Sequence, residues 1–261
     1  MRRRWLVGTV ALALLLAACG GDDEGGGGGG AGGGAERQYN LTLIQGVKGD
    51  QFYVTMQCGA QEAARAAGAT LDVTAPDEFD ASLQTPVVNA VVAKKPDAIL
   101  VAPTDTKAMI PPLTQAKAAG IKLVFVDTTT ENGAELAESE IAASKATAAL
   151  AAHPDLVGIF GTNLFSAEGA ATGLRSSGAS KKVKIVGFDA GPKQVEDLQQ
   201  GIVQALIAQK PADIGKAGVE QAIAALKGEP VQKKIGTGFV VVTKDNMNDP
   251  DVKPFLYKSS C

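Results

Sequence analysis

The chain has 261 residues, an apolar share of 45% and a formal net charge of −3 at pH 7. That is enough apolar sequence for one large domain or two small ones, and the charge carries no basic footprint, which excludes a nucleic-acid partner. With one histidine, His153, and three cysteines, metal clusters built on several histidines are excluded, and any Ser-His-Asp or Cys-His enzyme would rest on that one ring.

Arg2, Arg3 and Arg4 precede an apolar run from Trp5 to Leu16, closed by Ala17 and Ala18. This is the three-part pattern of a secretory signal, and the run is shorter than the roughly 20 residues a membrane span needs. Leu16-Ala17-Ala18-Cys19 resembles a bacterial lipobox, which implies lipidation of Cys19 and removal of residues 1–18 as a lipoprotein signal peptide. The alternative is an ordinary signal peptide with an incidental cysteine. Residues 19–38, mostly glycine after Cys19, have almost nothing to bury and read as a disordered tether. A Gly-rich coil of about 18 residues reaches roughly 25 Å. Its G-x-G-x-x-G matches follow no strand and imply no nucleotide. Asp22, Asp23 and Glu24 lack the alternating ligands of a calcium loop. No cofactor and no metal is implied.

Beyond the tether, short apolar runs alternate with longer Ala-rich segments. The chain reads as strand 41–47, helix 51–68, strand 70–75, a helix opening near Asp80, strand 97–103, helix 107–120 and strand 121–127. The rhythm resumes with strand candidates 155–161, 183–189 and 201–209, each followed by a helical segment, and ends on strand 237–246. Strands apolar on both faces, alternating with helices, predict an α/β fold of two doubly wound, Rossmann-like lobes with parallel sheets covered on both sides. In such sheets ligands bind beyond the carboxyl ends of the strands. Those ends carry Phe52 and Tyr53 after the first strand, Asp105 after the third and Asp127 after the fourth. In the second half they carry Asn163, Asp189 and Gln209. Carboxylates accept from paired hydroxyls, amides donate and accept, and an aromatic face covers a sugar ring. Each residue also has a plainer reading, since Asp105 could cap a helix, Asp127 could start a turn, and Phe52 and Tyr53 could be core. Taken together at one end of successive strands, the set suits a polyhydroxylated ligand.

These residues carry a resemblance. The segments "GDQFYVTMQCGAQEAA", "KKPDAILVAPTD", "AKAAGIKLVFVD", "HPDLVGIFGTN", "KIVGFDAGP" and "ALIAQKPADIG" are similar to the ribose/galactose-type periplasmic solute-binding proteins, the receptors of sugar ABC importers. The resemblance implies two lobes joined by three crossings, near Asp127, Gln209-Lys210 and Thr237-Gly238. It implies a first lobe of 39–127 plus 237–261, a second of 128–236, and a sugar or polyol held by Phe52, Tyr53, Asp105, Asp127, Asn163, Asp189 and Gln209. The implied partner is an ABC permease, with the protein held on the extracytoplasmic side of the membrane through Cys19. The family topology returns the C-terminal tail to the first lobe, and this implies a Cys58–Cys261 disulfide in an exported protein.

The resemblance breaks in three places. Leu164 and Thr128 stand where the family often has Asp and Arg. After Ser144 the chain runs straight into "KATAALAAHPDL", so two βα units, about 60 residues at about 30 each, are missing. The second lobe is then incomplete and strand 155–161 becomes an edge, with "SEIAAS" the candidate for a replacement strand. A truncated, non-binding remnant is therefore the alternative to a working sugar receptor. A surface hydrolase would need a G-x-S-x-G elbow, which the sequence lacks. A lactose-repressor-type regulator would need a helix-turn-helix where this chain has its signal and glycines.

Overall fold

The structure, a computed structural model, describes residues 38–130, 139–180, 182–232 and 234–261, with the side chains of 139–145 outside the description. The signal segment, Cys19 and the glycine tether fall outside the described residues. The first lobe begins with β1 (Asn40–Ile44), α1 (Gln51–Ala66), β2 (Thr70–Thr74) and α2 (Ala81–Lys94). It continues with β3 (Ala98–Val101), α3 (Ile110–Ala118) and β4 (Lys122–Phe125). Two of its helices start on aspartate caps, where a carboxylate takes up otherwise unpaired N–H groups. Asp50 accepts from Phe52 N at 2.7 Å and Asp80 from Ser82 N at 2.7 Å.

The first sheet is parallel, in the order β2-β1-β3-β4. The chain steps one way from β1 to β2 and the other way from β2 through β3 to β4. Right-handed crossovers therefore place α1 on one face and α2 and α3 on the other. Leu41, Leu43 and Leu100 bury on the α1 side, while Ile44, Ile99 and Val101 pack with Val88 and Leu113 on the other. Burial on both faces is why these strands read as unbroken apolar runs.

The second lobe holds α4 (Ser139–Ala152), β5 (Gly158–Gly161), α5 (Leu164–Ser176), β6 (Lys184–Phe188), α6 (Pro192–Gln199) and β7 (Ala205–Gln209). Its sheet runs β5-β6-β7-β8, the last strand being β8 (Phe239–Val242), antiparallel to β7. Strand β5 is an edge of this sheet, as expected for strand 155–161. The "SEIAAS" residues lie on α4, so they form no replacement strand. From β5 to β7 every step goes the same way, and right-handed crossovers put α5 and α6 on one face. A side chain at Gly187 would meet Ala167 of α5 at 2.9 Å and Gln194 of α6 at 3.3 Å. Ile185, Leu206, Ala208 and Val242 bury beneath those helices. The other face presents Phe160, Val186, Phe188, Ile207 and Val241, none of which joins either apolar core among the described residues. Among the described residues the expectation of sheets covered on both sides fails on this face, because β5, β6 and β7 all step the same way and their crossover helices fall on the opposite side.

The lobe boundaries also differ from expectation. α7 (Pro211–Lys227) packs along α1 and onto β3 and β4 in the first lobe, and β8 pairs in the second sheet. Three crossings require this: α7 lies between the second and the third, and so in the first lobe, and β8 follows the third, and so pairs in the second. The helix pair is tight. A side chain at Gly59 would sit 2.0 Å from the Ala212 carbonyl oxygen, and one at Gly215 2.0 Å from that of Met56. After β8 the tail returns to α1, where Cys261 is bonded to Cys58 with Cα atoms 5.3 Å apart.

Candidate ligand-binding cleft

The loops after β1, β4, β6 and β7 meet where the lobes face each other. Tyr53 opens α1, and its hydroxyl donates to Asp127 Oδ2 at 2.8 Å. Phe52 stands edge-on to Tyr53 and to Tyr257, with ring centroids 5.3 and 5.7 Å apart. Both α1 aromatics are buried, so the core reading describes Phe52 and Tyr53 as they stand in this structure. Tyr53 is also pinned by Gly46, where any side chain would lie 2.3 Å from its hydroxyl.

Asp127 and Asp189 both adopt left-handed backbone, with φ of 62° and 76°. Such conformations cost an L-residue energy and are tolerated best by Asp and Asn. They turn both carboxylates off the strand ends. Asp189 is buried and fully engaged. Its Oδ2 accepts from Leu164 N at 2.8 Å and its Oδ1 from Tyr257 OH at 2.8 Å, and the nearby Gln209 side chain helps hold its pKa down. Asp127 is crowded by protein atoms on one side and open to solvent on the other.

Burial pushes these acids up, and their mutual repulsion adds to it. Asp127 rises to about 7 through burial, with Asp189 and Asp50 contributing, against the Tyr53 bond. Asp50 rises to about 6 through burial, with Asp189 contributing. Asp189 is raised by burial in spite of its bonds. Glu168 on α5 rises to about 7, through burial and then the charge of Asp197. A group of like charges at one place holds protons that hydroxyl donors or water could replace.

The remaining candidates divide. Asn163 is half-buried and caps α5, accepting from Ser166 N at 2.8 Å. Gln209 ends β7, and its N–H donates to Tyr257 OH at 3.2 Å. Asp105 stands apart and exposed, accepting from Lys107 N at 2.8 Å and Ala108 N at 2.6 Å, and those bonds lower its pKa. This matches its reading as a local cap. Thr128, where an arginine was expected, donates to the Pro103 carbonyl at 2.8 Å and ties two strand ends together. A groove of about 580 Å³ opens elsewhere, between β2 and α2, and none of the candidates lines it.

Three participants escaped the sequence reading. Asp50 precedes the aromatic pair and carried the signal of a helix cap. Gln84 is fully buried, donating to the carbonyls of Gln45 and Ala102 at 3.2 and 2.8 Å and accepting from Thr104 N at 2.9 Å. Tyr257 lies in an irregular tail with no periodicity to mark it.

Comparison with known proteins follows the same pattern. The periplasmic binding protein domain family matches residues 41–137 and 133–230. The ribose import binding protein of Escherichia coli K12 is 42% identical over 95 residues, 36% of this chain and 32% of that protein, so the match spans about a third of its length. Its Bacillus subtilis counterpart is 23% identical over 273 residues, covering 80% of this chain and 88% of that one. Four fifths of 261 residues is about 209, so roughly 64 of those 273 aligned positions face a gap in this chain. A solved ABC transporter solute-binding protein from Agrobacterium vitis, bound to α-D-tagatopyranose, is 34% identical with a TM-score of 0.81, covering 85% of this chain and all of that one. These relatives are substrate-binding proteins of ABC transporters, not enzymes. On the family match over most of its length, the chain belongs to the periplasmic binding protein family, in its ribose/galactose-type sugar-binding branch.

Proposed function

We propose that the mature protein is the extracytoplasmic substrate-binding component of a sugar ABC importer. In this reading Cys19 anchors it to the membrane by a lipid, the glycine tether gives it reach, and it delivers a sugar or polyol to the permease. The ligand sits between the lobes against Phe52 or Tyr53, with Asp127, Asn163, Asp189 and Gln209 on its hydroxyls and Asp105 at the rim. The observation that carries this is Asp127, a carboxylate that faces solvent and repels two other acids. Sugar hydroxyls are donors, and bonds to an ionised carboxylate are the strong ones. Calorimetry on residues 38–261 with a panel that includes D-ribose, D-allose and D-tagatose tests it. Saturable heat that disappears in Asp127→Ala supports the reading, and silence across the panel defeats it.

A second reading has specific support: a remnant that no longer binds. The roughly 64-position gap, the uncovered face of the second sheet and the buried Leu164, which fills a place where the family often has a carboxylate, all favour it. The two readings separate on thermal stability, because a ligand bound only by the folded state must raise it.

A further inference from the structure

The uncovered face of the second sheet follows from the one-way winding of β5, β6 and β7. Its register gives three rows: Phe160-Val186-Ala205, then Phe188-Ile207-Val241, then Gln209-Phe239. Phe160 is 54% exposed, Phe239 69% and Val241 48%. Taking about 200 Å² for a whole phenylalanine, the two edge rings alone expose roughly 250 Å². With the half-buried side chains between them the panel comes to on the order of 500 Å², at the upper end of what a monomer leaves open.

We infer that this panel is a self-association surface, and that its occupant is the same panel of a second copy, packed face to face across a two-fold axis. Two such panels together remove about 1,000 Å², the size at which a specific interface begins. Charge permits the pairing. Within the three rows every side chain is apolar except Gln209, so no like charges are brought together, and Lys184 stands outside them at the end of β6. Relief favours it as well. Large rings stand on the two outer strands, Phe160 on β5 and Phe239 on β8, while Ala205 leaves a hollow on β7. A two-fold axis makes contacts reciprocal, so an axis placed between ring and hollow seats the ring of each copy over the hollow of the other. Sheets packed this way lie about 10 Å apart, a spacing that side chains of valine to phenylalanine size fill. Gln209 belongs to both this panel and the proposed cleft, but none of the variants below touches it, so association is read whether or not the cleft binds sugar.

Sedimentation velocity on residues 38–261 at about 100 μM, above the micromolar range of modest interfaces, tests it. The expected result is a discrete two-copy species. Phe160→Lys combined with Val241→Lys places two ammonium groups in the panel and should weaken association at least about 100-fold, since an unpaired buried charge is costly. Both positions are exposed in one copy, so the circular dichroism and melting of the variant should match the parent. Phe239→Lys provides a separate variant should that pair misfold. A monomeric parent, a two-copy species that survives every lysine, or open-ended aggregates untouched by the lysines would each overturn the inference, the last pointing to the edge of β5 instead.

Discussion

The Tyr257 hydroxyl donates to Asp189 Oδ1 at 2.8 Å, although 68 residues separate the two. The bond joins the tail, two residues past its short 3-10 helix (Lys253–Phe255), to the loop after β6, and Tyr257 N–H adds a second tie to the Ala190 carbonyl at 3.0 Å. The same hydroxyl accepts from Gln209 N at the end of β7. One side chain thus locks together the ends of two neighbouring strands in the second lobe.

Tyr257→Phe should therefore destabilise the protein by about 1.5–3 kcal/mol, the range for a hydrogen bond to a charged group. It should also raise the pKa of Asp189 further, because the lost bond is one that holds it down. Urea unfolding reads the first effect. A variant as stable as the parent would show that the tail is merely draped over the loop.

The acids of the cleft make the ligand-free protein sensitive to pH. Asp127 at about 7, Asp50 at about 6 and Asp189 are all raised above their ordinary range. A carboxyl raised on folding stabilises the folded state fully below its unfolded pKa and loses that contribution as pH rises through its folded value. Melting temperature should thus climb as pH falls from about 8 to about 5, and Asp127→Asn should flatten the climb. Exposed caps such as Asp80 and Asp105, which are lowered, take effect only in more acidic solution. A melting temperature that falls monotonically across the same window would refute the clustering of these acids.

Asp127 and Asp189 should differ as ligand contacts. Asp189 spends one oxygen on Leu164 N and the other on Tyr257 OH, whereas the described bond of Asp127 uses Oδ2 alone. Asp127→Ala should weaken sugar binding about 10- to 150-fold, the cost of one bond to a charged group, and should lose less stability than Asp189→Ala because it unpairs the Tyr53 hydroxyl alone. Asp189→Ala should lose both affinity and stability. Equal melting temperatures for the two variants would erase the distinction between them.

The disulfide should matter thermodynamically. Cys58 and Cys261 are 203 residues apart in sequence, and closing so long a loop contributes up to about 5 kcal/mol in the chain-entropy account. Replacing both by serine should lower stability by about 2–5 kcal/mol and loosen the tail that carries Tyr257. Thiol titration of the denatured, unreduced protein checks the bond itself, and two free thiols would rule it out.

Much of the first lobe was legible because two-sided burial writes itself into runs such as "DAILVAP", and because Asp80 announces its helix. The cleft was legible in part, since strand ends in such sheets are where function collects. Tyr257 was not: its role comes from a chain reversal that no local pattern encodes. The membership of α7 and β8 was misread because a helix of the right period packs equally well on either lobe. Only the count of crossings decides between them. The bare face was hidden for a similar reason, since Phe160 and Ile185 look equally buried until the direction of winding is known.

Hydrogen exchange provides the last and most direct prediction. Local stability follows how densely a segment is packed and how well its hydrogen bonds are shielded. α7 is wedged against α1 by Gly59 and Gly215, and α1 is further held by Cys261. Gly218 brings α7 against Leu100 and Val126 of the first lobe, where an added side chain would come within 2.9 Å of both. Strand β5, by contrast, is paired on one side only, and Phe160 is open to solvent. Amides of 211–227 should therefore exchange with those of α1, at least about 10-fold more slowly than those of 158–161, a gap of about 1.4 kcal/mol in opening free energy. A membership based on chain order alone predicts the reverse, with 211–227 opening alongside its sequence neighbours in the second lobe. If 211–227 and 158–161 exchange together while α1 stays protected, the assignment of α7 to the first lobe is wrong.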